Sequence, residues 1–179
     1  MNKRLPGDLS GAELVDRILR VDHAGEYGAR RIYEGQLAVL GKSASAPTLR
    51  HMAEQESQHL KTFESLMVER RARPTALLPV WHLAGYALGA ATALLGERAA
   101  MACTVAVEEV IDEHYRGQIA SLAGGEAALG ETLESFRQDE VAHRDTALAA
   151  GAEDAPGYAV LSQAIKGASR LAIWLSERV

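Results

Sequence analysis

Two Glu-x-x-His segments interrupt apolar helical stripes, and they constrain this chain more than any other feature. The first lies in AEQESQHLKTF, where Glu56 and His59 share steps of three and four with Met52, Phe63 and Leu66. The second lies in SFRQDEVAHRDTAL, where Glu140 and His143 continue a series through Leu133, Phe136 and Ala147. Residues at such steps line one face of a helix, the face that packs inward. Two further acids sit the same way. Glu26 stands midway between Leu19 and Tyr33 at seven-residue steps, with Leu40 beyond; Glu108 holds the matching place among Met101, Tyr115 and Leu122. Glu26 precedes Glu56 by 30 residues and Glu108 precedes Glu140 by 32, so the chain reads as two copies of one helix pair.

Four inward carboxylates must be neutralised, paired or bound to metal, because burying them bare is prohibitive. A single Glu-x-x-His is a weak signal, since both residue types are common on solvated helix faces. Two of them, each preceded at nearly equal distance by a stripe-facing Glu, are not explained that way. The four negative charges would balance two divalent cations, and an oxygen and nitrogen donor set without sulfur suits iron or manganese. Such a set is the ligand pattern of ferritin-like di-iron and di-manganese bundles. The pseudo-symmetry further predicts that Asp139 orients His59 from behind and that Gln55 does the same for His143. Glu34, Glu54, Glu64, Glu109 and Glu134 fall off the stripes and read as solvated.

Helical periodicity fills almost the whole chain and no segment alternates as a strand would, so the expected fold is all-α. Ser10 with Glu13 forms a capping box for a first helix reaching about Leu40, and Thr48 caps a second running to about Arg71. Pro74 and Pro79 interrupt before an apolar third segment from about Val80 to Leu95. A fourth helix ends near Leu122 at Gly124 and Gly125, a fifth covers about Glu126 to Ala150, and a sixth runs from Tyr158 to Glu177. The expectation is therefore a ferritin-like four-helix bundle with two additional helices, in one domain of 179 residues.

The net charge of -5 argues against nucleic acid as a partner. Cys103, in the apolar run MACTVAV, reads as a buried inert thiol, and as the single cysteine it excludes an intrachain disulfide. The start MNKRLPGDLSGAEL has no hydrophobic stretch of the signal-peptide kind. Ala76 to Gly96 carries no charge with His82 neutral, yet Pro79, Gly85 and Gly89 weaken a membrane-spanning reading. A helix in the membrane interface or along a greasy pocket fits better, with Trp81, Tyr86 and the ERRAR cluster at Glu69 to Arg73 facing lipid. A buried hairpin helix is the alternative.

DHAGEYGARRIYEGQL, EQESQHLKTF, ACTVAVEEVIDEHY, FRQDEVAHRDTAL and YAVLSQAIKGASRLAIWLSERV together resemble the demethoxyubiquinone hydroxylase family, di-iron monooxygenases of ubiquinone biosynthesis. The resemblance runs from Ile18 to Val179. It implies two iron ions held by Glu26, Glu56, His59, Glu108, Glu140 and His143, bridged by Glu56 and Glu140. It also implies a polyprenyl quinol and dioxygen as substrates, and peripheral attachment to the cytosolic face of the inner (cell) membrane. Electrons would come from the quinol, NADH or a reductase, and a lipid-binding accessory protein is a further candidate partner. His114 and Tyr115, about two turns beyond Glu108, are candidates for contacting the quinone or relaying protons; a core tyrosine is the alternative for Tyr115. Competing readings are a ferritin- or rubrerythrin-type iron oxidase, another di-iron hydroxylase, and a metal-free structural bundle.

Overall fold

The computed structural model of the chain describes residue 9, residues 11–122 and residues 125–179. Six α-helices follow one another: α1 (Gly11–Leu40), α2 (Ala46–Arg70), α3 (Leu78–Leu94), α4 (Glu97–Leu122), α5 (Ala127–Ala149) and α6 (Tyr158–Ser176). A 3₁₀ turn at Ala152–Asp154 lies between α5 and α6. No strand occurs among the described residues. The all-α expectation therefore holds, with shifts at the helix ends.

Those shifts have local causes. Helix α2 starts at Ala46 instead of being capped by Thr48, because Pro47 is tolerated in a first turn. Its terminus is held from another helix: the Ser45 backbone N–H donates to Glu97 Oε2 at 3.0 Å, and the Ser45 hydroxyl donates to the same oxygen. Pro79 likewise sits in the first turn of α3 instead of ahead of it. The α2 helix stops at Arg71, which takes a left-handed φ of 57°. Ser10 of the expected capping box and Gly124 of the expected stop lie outside the described residues.

Helices α1, α2, α5 and α4 pack in that cyclic order as the four-helix bundle; α3 lies on α1, and α6 on α4. Two apolar clusters fill the bundle. One holds Tyr33, Leu49, Met52, Met101, Val105 and Ala147; the other holds Ile18, Leu19, Phe63, Tyr115 and Leu133. On each bundle helix the ionisable stripe residues fall between members of the two clusters. The bundle is thus apolar at both ends and polar in the middle, which fixes the depth of the site.

The two outer helices attach differently. Helix α3 lies against α1 through glycine: a Cβ on Gly89 would run into the Ile32 carbonyl, and one on Gly35 into the Tyr86 carbonyl. At Gly85 the added carbon would stand 2.8 Å from the Gly28 carbonyl. Helix α6 instead meets α4 through side chains, with Ile165 packed on Cys103, Ala106 and Val107. Cys103 is fully buried, as its sequence context predicts, and burial pushes its thiol up to about 12.

The apolar third segment is not a buried hairpin helix. Its inner side (Gly85, Gly89, Thr92, Ala93) is covered, while Val80, Leu83, Tyr86 and Leu94 are exposed. Trp81 is turned partly inward, its indole N–H donating to Ser176 Oγ at 3.0 Å. Among the described residues no helix is long and apolar enough to cross a membrane.

Candidate metal centre

The bundle collects all six predicted ligands. Helix α1 supplies Glu26, α2 supplies Glu56 and His59, α4 supplies Glu108, and α5 supplies Glu140 and His143; none is more than 3% exposed. Their donor atoms form two overlapping groups, Glu26–Glu56–His59–Glu140 and Glu56–Glu108–Glu140–His143, within each of which the atoms lie within 4.8 Å of one another. Glu56 and Glu140 belong to both groups. Two carboxylates common to two ligand sets are what a bridged pair of cations requires.

The inward atoms are unsatisfied. His59 Nδ1 stands 3.4 Å from Glu26 Oε2 and 3.2 Å from Glu140 Oε1, and His143 Nδ1 stands 3.2 Å from Glu56 Oε1. None of these atoms has a partner in hydrogen-bond geometry, nor do Glu108 Oε2 and Glu140 Oε2. Buried polar atoms are nearly always satisfied, so a convergent set of orphans is the signature of a site built for cations. The donor set fits divalent metal.

The outer atoms, by contrast, are held. His59 Nε2 is 3.0 Å from Asp139 Oδ2, and His143 Nε2 is 3.0 Å from Gln55 Oε1, the crosswise contacts expected from the repeat. A proton kept on Nε2 by these acceptors leaves Nδ1 free as a donor to metal. Tyr33 Oη donates to Glu108 Oε1 at 2.7 Å, and Tyr115 Oη donates to Glu26 Oε1. The His59 ring also stacks on Phe136, with centroids 3.9 Å apart.

Comparison with known proteins agrees with this geometry. Residues 13–176 match the family model described as ubiquinone biosynthesis protein COQ7. The chain belongs to the COQ7 family. A 3-demethoxyubiquinol 3-hydroxylase of Rhodospirillum rubrum is 60% identical over 177 residues, covering 98% of this chain and 84% of the relative. The human NADPH-dependent 3-demethoxyubiquinone 3-hydroxylase, mitochondrial, is 54% identical over 169 residues, 92% of this chain and 78% of that one. The 5-demethoxyubiquinone hydroxylase, mitochondrial, of Saccharomyces cerevisiae is 42% identical over 185 residues, with 94% and 79% covered.

In this COQ7-family chain, electrostatics shift the protonation of the ligand cage. Burial raises Glu56 well above the ordinary carboxyl range, with Glu140, Glu26 and Glu108 adding to it. Burial likewise raises Glu108, reinforced by Glu140 and opposed by the Tyr33 hydroxyl. Glu140 goes the other way: burial would raise it, but His143 and His59 hold it down to about 2. Burial would lower His59, yet Glu140 and Glu26 lift it to about 11. Ligands bind metal in their deprotonated forms, so the upward shifts of Glu56, Glu108 and His59 set metal in competition with protons. Metal binding must displace them.

Two of the off-stripe acids are solvated as read, and the other three are half-buried and ion-paired. Glu54 and Glu64 are exposed, Glu34 and Glu134 pair with Arg31 and Arg137, and Glu109 pairs with Lys166. Tyr115 is 1% exposed, with its hydroxyl directed to Glu26. His114 is partly exposed and lines a cleft between α1, α4 and α6. Two neighbours escaped the sequence reading. Tyr33 appeared there only as a stripe member, although its position seven residues after Glu26 matches that of Tyr115 after Glu108. Asp22 sits one turn before Glu26 on the same face; an acid at that spacing was the available signal.

Proposed function

We propose that the chain is a di-iron monooxygenase that hydroxylates the ring of a polyprenyl quinol, the 3-demethoxyubiquinol 3-hydroxylase reaction. The observation that carries this reading is the pair of buried ligand groups sharing Glu56 and Glu140, in a chain of this family. Iron at the site would supply the activation of dioxygen, with one oxygen atom going to the ring and the other to water. Glu26 and His59 would hold one ion, Glu108 and His143 the other, and Glu56 and Glu140 both. Asp139 and Gln55 keep the two imidazoles in the ligating orientation, and Tyr33 and Tyr115 hold the two outer carboxylates in place.

An apolar slot of about 180 Å³ supports a greasy substrate. Gly25, Gly28 and Ile32 of α1 and Val107 and Ile111 of α4 form its floor, with α3 and α6 as its walls. The wall helices also expose Val80, Leu83, Leu94, Val160, Leu171 and Trp174 to the outside. With Arg71 and Arg73 exposed just before α3, these residues support peripheral attachment to the cytosolic face of the cell membrane, from which a polyprenyl chain would enter. A reductase, or direct use of a reduced nicotinamide, would supply two electrons, and a lipid-binding accessory protein could present the quinol.

The test is anaerobic loading with Fe(II), addition of a short-tailed demethoxyquinol and a reductant, then a pulse of isotopically labelled dioxygen read by mass spectrometry. One labelled oxygen on the ring is the expected result. Iron oxidation without ring labelling would move the assignment to an iron oxidase, and failure to take up iron would remove the site itself. Vesicle co-sedimentation of Leu83→Asp and Leu171→Asp, expected to weaken binding, tests the membrane face separately.

A further inference from the structure

Asp22 is a buried carboxylate to which the proposed reaction gives no task. It is 4% exposed, and its Oδ1 accepts a hydrogen bond from Gln118 Nε2 at 2.7 Å. The same oxygen stands 3.5 Å from His114 Nε2, while Oδ2 has no hydrogen-bond partner. Gln118 Nε2 also reaches His114 Nε2 at 2.8 Å. His114 and Gln118 both line an open cleft of about 500 Å³. Asp22 and Glu26 are neighbours on one face of α1, four residues apart, and Tyr115 links that glutamate to α4. A line of polar groups therefore runs from the open cleft inward to Asp22, one helical turn from the Glu26 end of the metal centre.

The repeat supplies its own control. Glu26 and Glu108 are 82 residues apart, as are Tyr33 and Tyr115. By the same offset Asp22, His114 and Gln118 correspond to Thr104, Ile32 and Gln36. On that side nothing ionisable remains: Thr104 is a neutral hydroxyl without a partner, and Gln36, fully buried, donates to the Ala100 carbonyl at 3.0 Å. Ile32 lines the apolar slot. The scaffold thus accommodates a neutral residue at this position. The acid occurs only on the half that faces water, although a buried carboxyl is costly.

We propose that Asp22, with His114 and Gln118, relays protons from the cleft between α1, α4 and α6 to the Glu26 end of the site. The proposal rests on the monooxygenase reading. That reaction takes up dioxygen, two protons and two electrons from a donor of the reduced-nicotinamide class. One oxygen atom replaces a ring hydrogen as hydroxyl, and the other leaves as water. Each proton passes from cleft water to His114, from Nε2 to Asp22 Oδ1, and on from the Asp22 carboxyl toward the Tyr115–Glu26 pair, which returns Asp22 to its starting state. Gln118 fixes the geometry by donating one amide hydrogen to Asp22 Oδ1, and it donates the other to His114 Nε2 once that nitrogen has given up its proton. Burial, the largest influence, raises the Asp22 carboxyl, opposed by His114 and Gln118, which suits a group that must hold and release a proton. The charged or titratable groups around it are His114, Glu26 and Tyr115, with Arg17, Glu113, Arg170 and Glu177 around the cleft.

The experiment compares iron-loaded wild type with Asp22→Asn, Asp22→Glu and Thr104→Val. Asp22→Asn should keep iron content and quinol KM, lower kcat about 10²-fold, and enlarge the solvent deuterium isotope effect. Asp22→Glu should restore much of kcat, and Thr104→Val should match wild type. Infrared difference spectra of the loaded proteins provide a readout independent of turnover: Asp22→Asn should lose a protonated-carboxyl band that persists above the pH at which exposed carboxyls ionise. Unchanged kcat and isotope effect in Asp22→Asn overturn the relay. If Asp22→Asn fails to hold iron, His114→Ala decides: recovery of kcat with added imidazole supports the relay, and no recovery overturns it. Failure of the monooxygenase reading shows differently, as wild type that labels no ring.

Discussion

The α1–α2 half and the α4–α5 half of the bundle present the same ligands in the same order, yet they differ wherever they meet something other than metal. Each half gives one Glu from its first helix and Glu-x-x-His from its second, and each first helix sends a tyrosine to the other's glutamate. Outside that cage the halves part. Asp139 backs one imidazole where Gln55 backs the other. Glycine brings α3 to α1, whereas aliphatic side chains bring α6 to α4. A pair of like cations would demand symmetry, because like cations need like donors. Substrate, protons and the outer helices make no such demand, and there the repeat has diverged.

The hardest test of this comparison removes a shared ligand. Glu56→Ala and Glu140→Ala should each abolish binding of both ions, whereas Glu26→Ala and Glu108→Ala should each retain one; metal analysis of purified protein reads the difference. Retention of one ion in Glu56→Ala would mean the halves bind independently. Metal-free Glu56→Ala should also melt no lower than metal-free wild type, since it deletes a buried carboxyl with no hydrogen-bond partner on Oε1.

Next in size is the outer pair. Gly89→Ala should destabilise by about 3 kcal/mol, because the new methyl meets backbone that cannot yield. Gly167→Ala, with open space around it on α6, should stabilise by roughly 0.5–1 kcal/mol. Denaturant midpoints separate the two, and equal effects would erase the distinction between glycine-packed and side-chain-packed helices.

Behind the imidazoles, Asp139→Ala should weaken metal binding about 10–100-fold, and Gln55→Ala less, since the carboxylate raises ligand basicity more than an amide does. A competitive chelator titration ranks them. The last test concerns pH. Glu56 and Glu108 are raised and His59 is lifted to about 11, so protons must leave as metal enters. Affinity should therefore fall with acid, by at most about tenfold per pH unit for each proton displaced. Calorimetry in two buffers of different ionisation enthalpy should show proton release; none would mean the cage is already deprotonated.

Much of this was legible beforehand. The convergence of six buried side chains followed from seven-residue and three-residue steps, because a helix face is a property of the sequence alone. Even the crosswise contacts of Asp139 and Gln55 followed, once the repeat implied a two-fold arrangement. The start of α2 did not, since its terminus is held by Glu97, more than fifty residues away. Nor did the inward turn of Trp81, which depends on Ser176 reaching the same place from α6. Asp22 was passed over because one acid among many on a helix says nothing until its neighbours are known.

What the sequence determined by itself is the cage: which residues face inward and in what order, since local periodicity dictates both. What only the tertiary structure decided is everything asymmetric. The closeness of α3 to α1, the apolar slot between α3 and α6, and the path from His114 to Glu26 all depend on side chains from distant segments meeting, and no local pattern encodes a meeting.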